Sequence, residues 1–329
     1  MNIFGFSSPS QVPETVSPVA LDNSVRFSNL GLRKEILGCL TKLGFDTPTE
    51  VQKDAIPAGL GGRNLIACAQ TGSGKTIAFL IPVLTRILEK QETNALIVTP
   101  TRELAEQISK VIRDFTGPGM FIPTSLLIGG ASIVPQLRTL KKRPRIVVGT
   151  PGRIQDHLER RSLNLSVFNI LVLDECDRMF DMGFAPQIKR IKEYLPKERQ
   201  TLLFSATLPK EVENIILRDL ANPVRVGKPQ TMAPSELQIS QTVVQTDALK
   251  KNETLLSEIQ KREGAMIVFA KTKIRTDRLA RYLELKGITV ERIHGDRNQG
   301  QRSKAIRAFR EGQVRILVAT DVAARGIDI

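Results

Sequence analysis

Six short, almost wholly apolar runs recur along the first two thirds of the chain: Leu65–Cys68, Ala95–Thr99, Ser125–Ile128, Arg145–Gly149, Ile170–Leu173 and Thr201–Phe204. Each is short for a helix and lacks a polar face, the pattern of a strand buried on both sides. Apolar residues at helical spacing fill the stretches between them. Strands of this kind alternating with helices predict an α/β fold whose parallel sheet is covered on both faces. In such sheets ligands bind beyond the carboxyl ends of the strands. The runs end in clusters of a different character: Ala69–Thr76, Pro100–Leu104, Gly129-Gly130, Thr150–Arg153, Asp174–Asp177 and Ser205–Thr207. Chemistry is therefore expected along one edge of one sheet.

The same pattern sets the domain limits. Residues 1–24 are rich in Ser, Pro and Val without a sustained period, and a mobile tail is expected there. Phe27 opens the first domain, 25–227, with Leu32, Ile36, Leu37 and Leu40 at helical spacing. Pro48 halts that helix, and Thr49 is placed to cap the next one, which carries Gln52. A linker is expected over 228–240, where Gly227-Lys228-Pro229 breaks the pattern. A second, shorter α/β series occupies 241–329, with strands expected near Gln241–Gln245, Ala265–Phe269, Thr289–Ile293 and Arg315–Ala319. It stops directly after a strand-and-loop unit, so a fragment boundary is expected at the C-terminus.

The first cluster, Ala69-Gln70-Thr71-Gly72-Ser73-Gly74-Lys75-Thr76, lies between a strand and a helix, the context a phosphate-binding loop requires. Gly72 and Gly74 let backbone N–H groups converge on an anion. Lys75 would reach the β- and γ-phosphates, the Thr76 hydroxyl would hold Mg²⁺, and the helix adds its positive N-terminal end. Ala69 stands where the strict pattern has glycine. Its Cβ disfavours positive φ, so the loop is expected to enter its turn with ordinary backbone angles. At the end of another buried run, Asp174 can hold Mg²⁺, mostly through water, and Glu175 can orient and deprotonate an attacking water. Adjacent strand residues point to opposite faces, so both reach one site only if the strand ends there.

Composition narrows the partners. The chain has 329 residues and a formal net charge of +14, which favours a polyanionic partner. Aromatic residues make up 5% and tryptophan is absent, so a platform that stacks successive bases is not expected. No apolar run is long enough to span a membrane, and no membrane partner is expected. Cys39, Cys68 and Cys176 are widely spaced, which supports neither a disulfide framework nor a zinc site and suits a reducing cytoplasm. The basic runs Lys141–Arg145 and Arg160-Arg161 read as solvated loops, with extension of a nucleic-acid track as the sharper alternative. His157 and His294 lack ligand spacing and receive no site.

Taken in order, Gly44-Phe45…Pro48-Thr49…Gln52, the Lys75 loop, Pro100–Leu104, Gly129-Gly130, Thr150–Arg153, Asp174-Glu175-Cys176-Asp177 and Ser205-Ala206-Thr207 resemble the motif series of DEAD-box ATP-dependent RNA helicases. The resemblance runs from about Phe27 to Ile329. It implies two RecA-like domains with ATP and RNA bound across the cleft between them. It further implies that Phe27 stacks on adenine and Gln52 bonds its edge, that Lys75, Asp174 and Glu175 serve catalysis with Mg²⁺ at Thr76 and Asp174, and that Ser205 and Thr207 couple hydrolysis to unwinding. Thr101, Arg102, Gly130, Thr150, Gly152 and Arg153 match the family's RNA-backbone contacts in the first domain. In the second, Gln299-x-x-Arg302 and Thr320 resemble RNA-contacting positions, and Asp328, in Arg325-Gly326-Ile327-Asp328, lies near the ribose. Hydroxyls, guanidiniums and bare glycine N–H groups grip phosphate and sugar without reading bases, so recognition of single-stranded or short duplex RNA is expected to be independent of sequence.

Two departures qualify the resemblance. Cys176 replaces the usual alanine of the box, and a small buried thiol behaves much as alanine does. The family's next motif, with its arginine finger, falls beyond Ile329. Such an arginine is worth on the order of 10³–10⁵ in rate, so this chain is expected to bind ATP and RNA but to hydrolyse slowly. An ATP-dependent RNA clamp and a DNA-directed motor of the same superfamily stand as alternatives. The resemblance implies a cytoplasmic location, or a nuclear or nucleolar one in a eukaryote.

Overall fold

The computed structural model describes residues 25–70, 72–116, 120–208, 214, 220–227 and 240–324. The calls on the tail at 1–24, on Thr71, on most of the linker and on Asp328 lie outside the described residues. A seven-stranded sheet forms the first domain in the order β3-β4-β2-β5-β6-β1-β7, every pair parallel. Its strands are β1 (Leu65–Cys68), β2 (Ala95–Val98), β3 (Thr124–Leu127), β4 (Ile146–Gly149), β5 (Ile170–Asp174), β6 (Gln200–Ser205) and β7 (Val224–Val226).

The apolar runs sort into two cores by the strand's period of two. Leu65, Ala67, Ile97, Val148, Val172 and Phe204 face one side. That side is covered by a 3-10 turn at Phe27–Leu30 and by α1 (Lys34–Lys42), α2 (Glu50–Leu60), α3 (Lys75–Glu89) and α4 (Arg102–Phe115). Ile66, Leu96, Val98, Val147, Leu171 and Leu203 face the other side, under α6 (Pro151–Glu159), α7 (Cys176–Asp181) and α8 (Ala185–Tyr194). α5 (Ile133–Lys141) packs on the edge strand β3. α2 begins where the sequence predicts, with Thr49 and Gln52 closing a reciprocal capping box.

The second domain carries β8 (Met266–Ala270), β9 (Val290–Ile293) and β10 (Ile316–Thr320) in the parallel order β8-β10-β9. α9 (Lys251–Gln260), α10 (Lys273–Leu285) and α11 (Gln299–Arg310) pack around them. The strand expected at Gln241–Gln245 is absent: these residues take no regular structure, and Val243 is 88% exposed. Valine pairs favour a strand only where a neighbouring strand and a packed face receive them. β7, three residues between Pro223 and Gly227, is too short to show a period in the sequence, yet it extends the first sheet beside β1. Among the described residues no helix is long and apolar enough to cross a membrane.

His157, without a site in the sequence, proves structural. It is fully buried on α6, bonded through Nδ1 to Ser162 Oγ at 2.8 Å and through Nε2 to Gln136 Oε1 at 3.3 Å. Gln136 in turn donates to the carbonyls of Ile128 and Ser132, which fixes the loop after β3. Burial, followed by the charge of Arg153, pushes the His157 imidazole below its ordinary value of 6.5. The folded state therefore favours the neutral ring, whereas the unfolded chain takes up a proton as pH falls through about 6.5. This contribution to stability is present above that pH and is lost below it. His157→Gln should flatten the loss of thermal stability between about pH 7 and 5 relative to the unsubstituted chain; equal slopes in melting curves across that range would contradict it.

Candidate functional site

The clusters at the strand ends meet along the carboxyl edge of the first sheet, as the alternating pattern requires. After β1 the chain enters its loop at Ala69 with ordinary φ, and Gly72 and Gly74 take φ of 81° and 89°. Gly74 has a second reason to lack a side chain: a Cβ there would collide with the Gln52 amide. Gln52 is 4% exposed, donates from Nε2 to the Gly74 carbonyl at 3.0 Å, and accepts the Thr49 N–H at 2.9 Å. Thr49 Oγ1 donates to the Ser73 carbonyl at 2.7 Å. The start of α2 is thus tied by two side-chain bonds to the loop, whose turn Ser73 closes by donating to the Gln70 carbonyl. Lys75 and Thr76 open α3, and the Lys75 ammonium, buried, rests on the Ala69 carbonyl at 2.9 Å.

β5 ends at Asp174, and Glu175 takes a left-handed conformation with φ of 53°. That break in the strand brings two adjacent carboxylates to one edge. Asp174 is 2% exposed; burial pushes its carboxyl up to about 7, with Lys75 opposing the shift and Glu175 adding to it. A buried carboxylate with so little compensation suits a bound cation. No cluster of three or more acidic, His or Cys side chains that could hold a metal occurs among the described residues. Glu175 is ion-paired with Arg178 at 2.9 Å. Cys176 is fully buried, and burial followed by Asp177 pushes its thiol far above the ordinary range, in keeping with a packing role.

β6 lies between β5 and β1, and its end joins their two loops. Ser205 accepts the Ala69 N–H on its carbonyl at 3.0 Å and the Asp177 N–H on its hydroxyl at 3.0 Å. Thr207 donates both its N–H and its hydroxyl to Asp177 Oδ2, at 2.9 and 3.0 Å. Phe27 is 3% exposed and packed into the core. Phe45 is 42% exposed and adjoins Asp46, whose carbonyl accepts the Phe27 N–H at 3.2 Å.

A cavity of about 820 Å³ lies beside this region, walled by both domains. Thr101, Arg102, Thr150, Gly152 and Arg153 line it from the first domain, Arg302 and Thr320 from the second. Gly129 rather than Gly130 lines it; Gly130, with φ of 73°, passes beneath the Arg102 guanidinium, which a Cβ there would displace. Thr101 caps α4 by accepting the Leu104 N–H, and Thr150 stands at the N-terminal boundary of α6, ahead of Pro151, without a side-chain capping bond. Arg153 donates to the Ala131 carbonyl at 3.2 Å. Burial and the nearby charges of Arg302 and Arg153 lower the Arg102 guanidinium below its ordinary value. Crowded guanidiniums of this kind favour a bound anion.

Arg302 differs from expectation in its partner. It is 6% exposed and donates from Nε to Glu103 Oε1 at 2.7 Å across the domain boundary, and from a terminal nitrogen to the Ala323 carbonyl at 3.2 Å. Ser303 donates to Glu106 beside it at 3.3 Å. The sequence reading passed over Glu103, hidden between the Arg102 and Leu104 of its own motif. It also missed Lys271 and Lys273, which line the cavity just beyond β8. The strand-end rule applied to the first domain would have found both lysines. The basic runs do not extend this surface. Arg145 enters β4 at the opposite edge and donates to the carbonyls of Ile87, Lys90 and Thr93, and Arg160 pairs with Asp156 at 2.6 Å.

Comparison with known proteins gives a consistent result. Residues 49–215 match the DEAD/DEAH box helicase family, and residues 250–329 match the helicase conserved C-terminal domain. The chain is 44% identical to the ATP-dependent RNA helicase CshA of Listeria monocytogenes, over 92% of its own length and 58% of that protein's. To the DEAD-box ATP-dependent RNA helicase CshA of Bacillus subtilis it is 42% identical, over 93% and 62%. It thus spans about three fifths of these relatives. A structure of Saccharomyces cerevisiae Dbp5 bound to RNA and ADP BeF3 is 33% identical with a TM-score of 0.79, covering 92% of this chain and 78% of that one. A DEAD box protein from Methanococcus jannaschii is 39% identical with a TM-score of 0.59, covering 92% and 82%. The nearer sequence has the less similar overall shape.

The Glu103–Arg302 pair yields a direct test. Removing one partner of a buried ion pair costs about 3–5 kcal/mol. Glu103→Ala or Arg302→Ala should let the domains separate, seen as a larger radius of gyration in solution scattering, while the first domain keeps its own melting transition. Joint reversal, Glu103→Arg with Arg302→Glu, should restore the compact form, and failure of both effects would remove the pair from any role in domain juxtaposition.

Proposed function

We propose, from the premise that this chain belongs to the DEAD-box helicase family, that it binds ATP and RNA together across its two domains and that ATP hydrolysis drives local unwinding of short RNA duplexes. The observation that carries this reading is the buried Glu103–Arg302 bridge, which ties the wall of the cation-lined cavity in one domain to that in the other. The overall shape is more similar to the relative bound to RNA and ADP BeF3 than to the Methanococcus jannaschii protein, which supports this reading.

In this reading Ala69–Thr76 cradle the phosphates, Lys75 leaves the Ala69 carbonyl for them, and Gln52 exchanges a loop carbonyl for the adenine edge. We assign stacking on adenine to Phe27, whose N–H is tied to the Asp46 carbonyl ahead of α2, and the ribose to Asp328. Thr76 and Asp174 would hold Mg²⁺, largely through water, and the ion supplies neutralising charge at the phosphates. Glu175 takes the proton of the attacking water once it leaves Arg178. Asp177 passes the change to Ser205 and Thr207 through the bonds already described. Thr101, Arg102, Gly130, Thr150, Gly152, Arg153 and Thr320 grip RNA backbone, joined by Lys271 and Lys273, so binding is independent of base sequence. Arg302 acts on RNA through Glu103, by holding the two walls in register.

The deciding experiment pairs two substitutions. Glu175→Gln should leave ATP binding intact, lower turnover by at least about 10²-fold and prolong retention of a short single-stranded RNA; release as fast as from the unsubstituted chain would sink the assignment of Glu175. Lys75→Ala should abolish nucleotide binding in a fluorescent-ATP titration. Strand displacement on a short duplex separates helicase from clamp, and stimulation by RNA over DNA of the same length excludes a DNA-directed motor.

A further inference from the structure

A second cavity, of about 1090 Å³, lies on the far side of Glu103 from the cavity just described and has no part in the proposed reaction. Its walls are α4, the entry to edge strand β3, the end of α5, and α11 of the second domain. Five cationic side chains line it against three carboxylates, and Lys110, Arg113, Lys142 and Arg307 are among the cations. Phe121, on its wall, is 89% exposed, an unusual position for a phenylalanine in water. An apolar floor within a cationic rim suits an acidic segment that carries large apolar side chains.

The chain contains one such segment. Residues 1–24 hold Ile3, Phe4, Phe6, Val12, Val16, Val19 and Leu21, with Glu14 and Asp22 as the charged residues and no Lys or Arg, in a protein whose net charge is +14. Its attachment point is close: the turn at Phe27 leads into α1, and α1 packs against α4, which walls the groove. At full extension 24 residues reach up to about 80 Å. We propose that residues 1–24 dock in the groove between α4, β3 and α11, with apolar side chains on Phe121 and Ile306 and the two carboxylates at the cationic rim. Because one wall belongs to each domain, occupancy favours the juxtaposition that Glu103 and Arg302 fix. That consequence rests on the closure proposed above, whereas the docking itself does not.

All described elements lie between Phe27 and Ala324, so a chain beginning at Val25 keeps them. A fluorescent peptide of residues 1–24, titrated with that shortened chain without nucleotide or RNA, should bind and should weaken as salt is raised. Phe121→Asp should weaken it by at least about tenfold. The intact chain should bind the peptide less well than the shortened one, since its own segment competes. Absence of binding, or binding indifferent to Phe121→Asp, overturns the proposal. Displacement of the peptide by a ten-nucleotide RNA would instead give the groove to nucleic acid, and Phe121-dependent dimerisation of the intact chain would give it to a second copy. Lys75→Ala leaves the groove untouched, so this test and that of the helicase reading fail independently.

Discussion

Two charges withdrawn from water together at the domain boundary govern how the molecule is assembled. Glu103 and Arg302 are each almost wholly buried, and neither could afford that environment alone. The pair forms only while α4 of one domain lies against α11 of the other, so its desolvation is tied to one relative placement. Arg302 also caps the chain beyond β10 through the Ala323 carbonyl, which links the seam to the second domain's own strand end. Glu103 lines both interdomain cavities. One carboxylate thus separates the surface facing the expected RNA from the groove behind it.

The strand order shows how one sheet would serve the two ligands proposed for it. β5, β6 and β1 are neighbours, and their ends carry Asp174–Asp177, Ser205–Thr207 and Ala69–Thr76. β3, β4 and β2 are neighbours on the other half, and theirs carry Gly129-Gly130, Thr150–Arg153 and Thr101–Arg102. The elements assigned to the nucleotide and those assigned to the RNA backbone therefore divide at the junction of β2 and β5. Ser205 sits centrally in the nucleotide half, bonded on one side to the loop and on the other to the box.

Much of this was legible in the sequence because it rests on local rules. Buried parallel strands announce themselves as apolar runs, and Thr49 with Gln52 spells a capping box. The strand-end rule located the glycine-rich loop, the Asp174–Glu175 pair and five first-domain residues lining the cavity, and the family resemblance added Arg302 and Thr320. What escaped depends on contacts distant in sequence. That Arg302 turns towards Glu103 is a property of two domains, and no periodicity within either records it. His157 looked idle because its partners, Gln136 and Ser162, form no motif with it. The strand misplaced at Gln241–Gln245 shows the converse, a strand-like composition without a neighbour to receive it.

The glycines show how local and distant constraints converge on one residue. Gly74 was expected for its backbone freedom, and it does take positive φ. The same residue must also lack a Cβ because the Gln52 amide lies against it. Gly130 repeats the arrangement in the other half of the sheet, with positive φ and the Arg102 guanidinium across its bare backbone. In each case a long polar side chain from a neighbouring element rests on the glycine loop. Any side chain added at either glycine would both strain the turn and push that partner away. Ala69, by contrast, enters the loop with ordinary angles, which is why an alanine serves where the strict pattern has glycine.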